Sequence, residues 1–293
     1  MENQPNSIKN FFLLFKNRLK NQYDENESFQ FLYILFEKYF GWGKAEVHLR
    51  SNDILSDKDA SCLYHALFEL SCNRPIQYVT GVAFFSGLEL TVNPNVLIPR
   101  PETEELVERI IKENSQRQDT DLTILDIGTG SGCIAISLKL KLQNAIITAM
   151  DVSPLGLEVA RENAIRYGCK IRFYQGDILD KEILNDFPTY DIIVSNPPYV
   201  LEGERKVMRQ HVLDFEPSGA LFVPDNDPMR FNKAIAGFAS HHLKRLGILY
   251  LEMNELFGKE VQELLLLQGF QNIEVIQDIH GKDRFVKALR NAQ

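Results

Sequence analysis

The pentapeptide Ser195-Asn196-Pro197-Pro198-Tyr199 carries residue types that suit the binding of an –NH2 group. A proline has no N–H and restricts the residue before it to extended backbone, so Asn196 and Pro197 are both stiffened. We therefore expect two fixed acceptors here, the side-chain carbonyl of Asn196 and the backbone carbonyl of Pro197. Together they would bind both protons of an amide or aromatic amine. Such a clamp increases the electron density on the nitrogen and aims it at an electrophile.

Tyr199 adds an aromatic ring, which can pack on a planar amide or lie near a cationic centre. The run Tyr190-Asp191-Ile192-Ile193-Val194 before the clamp predicts a buried strand. A proline-rich turn is the plain alternative, but open α/β sheets bind ligands at the carboxyl ends of their strands. We therefore assign catalytic roles to Asn196, Pro197 and Tyr199.

A second motif, Asp126-Ile127-Gly128-Thr129-Gly130-Ser131-Gly132, joins a predicted strand to a predicted helix. Its glycines permit positive φ and a close approach of backbone to a ligand. A loop shaped around a pyrophosphate would read G-x-G-x-x-G, whereas this loop reads G-x-G-x-G after an acid. The variant looks like the S-adenosylmethionine loop, in which the acid serves the amino-acid end of the ligand. We expect Asp126 and the residues from Gly128 to Gly132 to bind that cofactor.

Acids also end the next two predicted strands. Asp151 follows the glycine loop by about 20 residues, where a carboxylate can accept hydrogen bonds from both ribose hydroxyls. Asp177 follows the third strand and is expected to bind the adenine amino group beside an apolar wall at Ile178. An ordinary turn would also explain Asp177.

Composition limits the possible partners. The chain has 293 residues, 44% of them hydrophobic and 25% charged, which is ordinary for a globular protein of one large domain or two smaller ones. A net charge of −8 disfavours binding of bare nucleic acid through its phosphates. The four cysteines have no zinc-binding spacing, and no apolar run approaches the roughly 20 residues of a membrane span. We expect a cytoplasmic monomer without a metal, a membrane segment or stably bound nucleic acid.

Hydrophobic periodicity divides the chain into three parts. Residues 1–75 are predicted to be a small helical domain, 76–95 a β-hairpin linker, and 96–293 an α/β domain with a helix starting at Pro101. Strands are predicted at 122–127, 146–151, 170–175, 190–195 and 247–252, helices at 131–142, 154–167, 229–244 and 257–268, and a final hairpin at 273–278 and 284–289. A mostly parallel sheet that closes with an antiparallel strand is the layout of the Rossmann-like class I methyltransferases.

Both motifs, together with Arg100-Pro101-Glu102-Thr103-Glu104, resemble the protein-(glutamine-N5) methyltransferases, and more closely the HemK/PrmC family that modifies peptide chain release factors. The resemblance extends to Arg74–Gly81, Phe85-Ser86-Gly87-Leu88 and Asp214-Phe215-Glu216-Pro217, and covers most of residues 74–293. DNA adenine methyltransferases share N-P-P-Y, so the R-P-E-T-E segment narrows the choice.

The resemblance implies the substrate, which is the glutamine of the Gly-Gly-Gln loop in class I release factors. It also implies that the cofactor contacts are Gly128 to Gly132, Asp151, Asp177, Ile178 and Asn196. The implied glutamine clamp is Asn196, Pro197, Pro198 and Tyr199. Two positions depart from the family pattern: Glu252-Met253-Asn254, where relatives often have a glycine, and Ile178, where some have an aromatic residue. We take the N-terminal helices as the candidate docking domain for the release factor.

Other functions remain compatible with the same motifs. A sibling enzyme that modifies a glutamine of a ribosomal protein shares both of them. An N6-adenine methyltransferase would share the clamp, although the acidic balance and the short gaps between strands argue against it. A non-catalytic cofactor-binding module is the alternative from a different class, and it would need no intact clamp.

Overall fold

The computed structural model describes residues 6–115, 121–180 and 187–291. Its chain forms two compact units, one of Met1–Gly81 with Arg209–Phe215 and the other of Val82–Met208 with Glu216–Gln293. Within these described ranges, no helix has both the length and the apolar character that a membrane crossing requires.

The helices are α1 (Ile8–Leu19), α2 (Glu25–Phe40), α3 (Lys44–Leu49), α4 (Asp57–Ser71), α5 (Ile76–Thr80), α6 (Pro101–Asn114), α7 (Cys133–Lys141), α8 (Pro154–Arg166), α9 (Gln210–Phe215), α10 (Arg230–His242) and α11 (Gly258–Leu267). The strands are β1 (Val82–Phe85), β2 (Leu88–Thr91), β3 (Thr123–Ile127), β4 (Ile146–Asp151), β5 (Ile171–Gln175), β6 (Tyr190–Ser195), β7 (Val200–Leu201), β8 (Phe222–Val223), β9 (Leu243–Glu252), β10 (Phe270–Gln277) and β11 (Asp283–Arg290).

The first unit is helical, as its periodicity predicts, and buries one apolar cluster. Gly41 ends α2 at a φ of 72°, where a glycine has no Cβ penalty. The expected hairpin at 76–95 is wrong in its first residues, because 76–80 form the short helix α5. Pro75 precedes that helix and Gly81 ends it with a left-handed backbone. The hairpin itself, β1 with β2, starts at Val82.

The second unit is built on a seven-stranded sheet of order β10-β11-β9-β6-β3-β4-β5. Its five strands from β9 to β5 are parallel, and β11 is antiparallel to both of its neighbours. The α/β fold and the antiparallel closing strand predicted from the sequence are thus confirmed. The predicted starts of β3, β4, β5 and β6 are within one residue of those observed, whereas β9 begins at Leu243 rather than at 247.

Alternate residues of the central strands enter two separate apolar clusters, one on each face of the sheet. Ile124 and Ile192 pack with α6, α7 and the hairpin, while Leu125 and Ile193 pack with α10 and α11. Both faces of the parallel strands are therefore covered, which explains why these strands read as nearly continuous apolar runs. The carboxyl edge is left for polar residues.

Asn163, a fully buried residue of α8, joins the hairpin to the glycine loop. Its Nδ2 donates to the carbonyl oxygens of Thr91 and Ser131, each at 2.9 Å, and its Oδ1 accepts from the Thr91 N–H at 2.7 Å. An asparagine side chain can donate to two carbonyl oxygens and accept from one N–H group at the same time.

We expect Asn163→Ala to lower the free energy of unfolding by about 2–3 kcal/mol, because it leaves the buried Ser131 carbonyl and two partly buried backbone groups of Thr91 without this partner. Urea denaturation measures this change. Glu162→Ala, which removes a hydrogen bond to the Thr91 hydroxyl at an exposed position, is the matched control and should cost less than about 1 kcal/mol. Equal costs for the two variants would contradict this role of Asn163.

Candidate functional site

The functional residues predicted from the sequence follow the carboxyl ends of neighbouring parallel strands. Ile127 at the end of β3 pairs in register with Ser195 at the end of β6. Gly128 and Asn196 therefore start adjacent loops, and a Cβ added to Gly128 would lie 4.0 Å from the Asn196 carbonyl oxygen. The chain runs outward from β3 to β5 and then returns to β6, so this position is the switch point where open sheets bind ligands.

Asp151, at the end of β4, holds the glycine loop by its backbone. Its Oδ2 accepts from the N–H of Gly130 at 2.8 Å, and its Oδ1 accepts from the N–H of Ser153 at 2.9 Å. Burial raises the pKa of Asp151, and these backbone donors oppose that rise. Gly130 has a φ of 52°, and nothing lies within 4 Å of the Cβ that another residue would have there. The loop thus keeps an open side next to a carboxylate.

A cleft of about 300 Å³ lies over this edge. Its walls bring together eight of the predicted site residues: Gly128, Gly130, Asp151, Asp177, Ile178, Asn196, Pro197 and Pro198. Further walls come from residues to which the sequence analysis assigned no role in the site, among them Asn95 to Leu97, Pro217, Gly219, Ala220, Phe231 and Ile235. The volume is at the lower end of the usual range for ligand sites. Asp177 uses its Oδ1 to accept from the Leu179 N–H at 2.9 Å.

The structure places the other predicted residues behind these walls. Asp126 is fully buried and accepts a 2.7 Å hydrogen bond from the Thr129 hydroxyl. Burial raises the pKa of Asp126 to about 7, against the opposing effects of the Thr129 hydroxyl and the Ala135 backbone. Ser131 and Gly132 are buried too, and a Cβ on Gly132 would come within 3.0 Å of the Ile136 side chain. These residues shape the loop from beneath the cleft floor.

Asn196 is held by a chain of hydrogen bonds that ends on a buried acid. Its Nδ2 donates to Thr103 Oγ1 at 3.0 Å, and the Thr103 hydroxyl donates to Glu252 Oε2 at 2.8 Å. The hydroxyl of Tyr199 donates to the other oxygen, Oε1, at 2.9 Å. Tyr199 is thus turned to Glu252 and is not among the described cleft-lining residues.

Glu252 ends β9, has no exposed surface, and carries an altered acidity. Burial raises its pKa to about 7, while the hydroxyls of Thr103 and Tyr199 and the charge of Arg284 oppose the rise. Burial, together with the Glu252 charge, raises the pKa of Tyr199. The Tyr199 hydroxyl is consequently a donor at neutral pH.

Asn254, the residue at which the chain departs from the resembled family, has a definite structural task. Its Nδ2 donates to the Tyr199 carbonyl at 3.2 Å and to Glu204 Oε2 at 3.1 Å, and its Oδ1 accepts from the Leu256 N–H at 3.0 Å. The adjacent Met253 is buried. The departure therefore ties the end of β9 to the backbone of the clamp.

Arg100, whose role the sequence leaves open, pairs with Glu216 of the D-F-E-P stretch. Its Nη2 lies 2.7 Å from Glu216 Oε1, and the Ile98 N–H donates to Oε2 at 3.1 Å. The Glu216 side chain is 1% exposed, so its charge requires these donors. The pair fixes two segments that also supply walls of the cleft.

Sequence reasoning missed Thr103 and Glu252 as parts of the site, although each gives a signal. Thr103 is a polar residue on the buried stripe of α6, in line with Leu106, Val107 and Ile110. Glu252 ends an apolar strand just as Asp151 does. A polar residue in an apolar pattern requires a buried partner.

Comparisons with known proteins agree with this geometry. Residues 102–238 match the family model described as Methyltransferase small domain, and residues 14–81 match the PrmC N-terminal domain. The chain is 44% identical to a release factor glutamine methyltransferase of Flavobacterium psychrophilum over 281 residues, which is 96% of this chain and 98% of that protein. The Bacteroides thetaiotaomicron protein of the same name is 43% identical, with 84% and 86% covered.

The chain belongs to the release factor glutamine methyltransferase family. Membership confirms the resemblance stated from the motifs. Among solved structures, a methyltransferase from Pyrococcus furiosus superimposes with a TM-score of 0.51 at 19% identity, covering 81% of this chain and all of that one. This likeness concerns the fold, which is that of the methyltransferases.

The raised pKa of Glu252 predicts a pH-dependent stability. Because its folded pKa of about 7 exceeds the ordinary value of 4.5, the contribution of Glu252 is fully present below pH 4.5 and is lost as pH rises through 7. Relative to Glu252→Gln, the wild-type protein should lose about 3 kcal/mol of unfolding free energy between pH 4.5 and 8.

Urea denaturation of both proteins across this pH range measures that difference, in which the other titrating groups cancel. Glu108→Gln removes an exposed carboxylate from α6 and is the control. A constant difference between wild type and Glu252→Gln at every pH would contradict the raised pKa.

Proposed function

We infer that the protein transfers a methyl group from S-adenosyl-L-methionine to the side-chain amide nitrogen of the glutamine in the Gly-Gly-Gln motif of class I peptide chain release factors. Family membership supports the substrate, and the clamp supports the reaction. We expect the protein to act in the cytoplasm as a monomer without stably bound nucleic acid. Residues 1–75, most of which match the PrmC N-terminal domain, are our candidate for docking the release factor.

The cleft fits the proposed methyl donor by its donor and acceptor chemistry. S-adenosylmethionine, when bound, supplies a methyl group already activated on a sulfonium. The carboxylate of Asp151 accepts from the N–H groups of Gly130 and Ser153 and from that of Val152, and its acceptor capacity of about four hydrogen bonds leaves room for a ribose hydroxyl. Asp177 has an oxygen to offer to an amino group, and Ile178 supplies an apolar wall. Gly128 and Gly130 keep their side of the cleft free of side chains.

The observation that carries the proposal is the orientation of Asn196. Its amide nitrogen is engaged by Thr103, so its oxygen remains as an acceptor for a substrate. That oxygen and the Pro197 carbonyl would accept both protons of a glutamine amide and hold its nitrogen still. Such positioning is worth several kcal/mol of a barrier, and the prolines keep the acceptors rigid. Pro198 lines the cleft beside these acceptors, and Tyr199 holds the loop through its hydrogen bond to Glu252.

The substrate is tested by mapping where a labelled methyl group goes. The purified protein is incubated with labelled S-adenosylmethionine and, separately, with an unmodified class I release factor, a ribosomal protein mixture or adenine-rich DNA. We expect the label on the Gly-Gly-Gln glutamine alone, located by mass spectrometry. Label on a ribosomal protein or on DNA instead would retain the clamp chemistry and overturn the substrate. A protein that binds the donor and labels nothing would be a non-catalytic module.

Two variants separate donor binding from amide positioning. Asp151→Ala should weaken S-adenosylmethionine affinity by on the order of tenfold or more, because it removes two acceptors from the partly buried wall of the cleft. Asn196→Ala should lower kcat by on the order of a hundredfold and should weaken that affinity less than Asp151→Ala does, although Asn196 is also an expected cofactor contact. Calorimetry and single-turnover kinetics measure these effects, and urea denaturation checks the fold. Unchanged donor affinity in Asp151→Ala, or full activity in Asn196→Ala, would remove that residue from its role.

A further inference from the structure

The direction of each hydrogen bond between Asn196 and Glu252 follows from proton counting at Thr103. The threonine hydroxyl carries one proton and two lone pairs, and a carboxylate can only accept. Thr103 is 2% exposed and Glu252 is fully buried, so water does not supply an alternative partner. With Glu252 ionised, the Thr103 proton points to Oε2 at 2.8 Å, and the oxygen can only accept from Asn196.

This constraint selects one of two amide orientations that have nearly the same shape. A carboxamide turned by 180° exchanges its oxygen and its nitrogen while it fills the same space. The turned form would bring Asn196 Oδ1 against the lone pairs of Thr103 and would lose a buried hydrogen bond. It would also present an –NH2 donor to the substrate, where an acceptor is needed.

We propose that Thr103 and Glu252 are positioning residues, and that the negative charge of Glu252 fixes Asn196 with its oxygen towards the substrate amide. The proposal rests on the proposed function, because this orientation matters for catalysis only if the substrate is a glutamine amide. Neither residue is among the described residues that line the cleft. Both act through Asn196.

The surroundings of Glu252 supply the rest of the argument. Tyr199 donates to Oε1, so both oxygens of Glu252 are engaged as acceptors at once. Charges from two other elements act on it, with Arg284 of β11 favouring ionisation and Glu102 of α6 opposing it. The thiol of Cys133 at the start of α7 is also close enough to feel its charge.

A proton on Glu252 would remove the constraint. The neutral acid could donate to Thr103, the Thr103 proton could then point to Asn196, and the amide would turn to accept it. Burial brings this event near neutral pH, since it raises the pKa of Glu252 to about 7. Activity should therefore rise with pH through this range in the wild-type protein, and this rise should be absent in Glu252→Gln.

The kinetic test uses Thr103→Val, Thr103→Ser and Thr148→Val with the acceptor found by methyl mapping. Thr103→Val should lower kcat by on the order of a hundredfold with S-adenosylmethionine affinity unchanged, because the amide is no longer oriented. Thr103→Ser retains the hydroxyl and should stay within about threefold of wild type. Thr148→Val removes another buried hydroxyl, in this case from strand β4, and should have no such effect on kcat.

A second measurement does not depend on activity. In protein labelled with ¹⁵N-asparagine, the Asn196 side-chain NH2 signal is assigned by its absence from Asn196→Ala. It should shift with pH along with the ionisation of Glu252. This shift should disappear in Glu252→Gln. In Thr103→Val, the NH2 protons of Asn196 should exchange with solvent faster than in the wild-type protein.

The two measurements distinguish the possible failures. A wild-type protein that labels no glutamine overturns the proposed function, and the NH2 signal still decides the orientation. The positioning role is overturned if the chemical shift of the Asn196 NH2 group does not depend on the ionisation of Glu252, or if Thr103→Val has the kcat of the wild-type protein. A loss of kcat in Thr103→Val that is matched by lost donor affinity, and not rescued by Thr103→Ser, reduces Thr103 to a structural residue.

Discussion

The buried carboxylate of Glu252 requires hydrogen-bond donors from the surrounding chain. A charge without exposed surface is costly unless donors surround it, and the donors come from separate segments. Thr103 is supplied by the first turn of α6 and Tyr199 by the loop after β6. Since β6 and β9 are neighbours in the sheet, the clamp and the acid leave the same edge together. The position of the clamp thus depends on satisfying this one side chain.

The same arrangement of buried acid and converging donors recurs along the carboxyl edge. Glu216 collects Arg100 and the Ile98 N–H, which joins the segment before α6 to the segment after α9. Asp151 collects two loop amides. Folding removes each acid at least partly from water. Each acid fixes a loop segment that has no helix or strand hydrogen bonds of its own. Burial raises the pKa of Glu252 to about 7, so its ionisation above that pH is expected to reduce the stability of the folded protein.

Patterns local in sequence predicted most of the fold and eight of the residues that line the cleft. Apolar runs located β3, β4, β5 and β6 because buried parallel strands are continuous in sequence, and each polar residue that followed a run lies at the carboxyl edge. The link between Thr103 and Glu252 could not be predicted this way, since 149 residues separate them and helix capping already accounts for polar residues at the start of α6. The helix α5 was missed because a hairpin pattern begins directly after it.

The long separations within the site have a consequence for how the chain folds. Hydrogen bonds that span 93, 149 and 53 residues join Asn196, Thr103, Glu252 and Tyr199. Such non-local contacts carry a high loop-closure entropy and form late. When the Asn-Pro-Pro-Tyr loop has been synthesised, the nascent chain still lacks β9. Strand β9 in turn pairs with β11, which lies near the end of the described residues. The catalytic geometry is therefore a property of the finished sheet, and a growing chain on the ribosome does not have it.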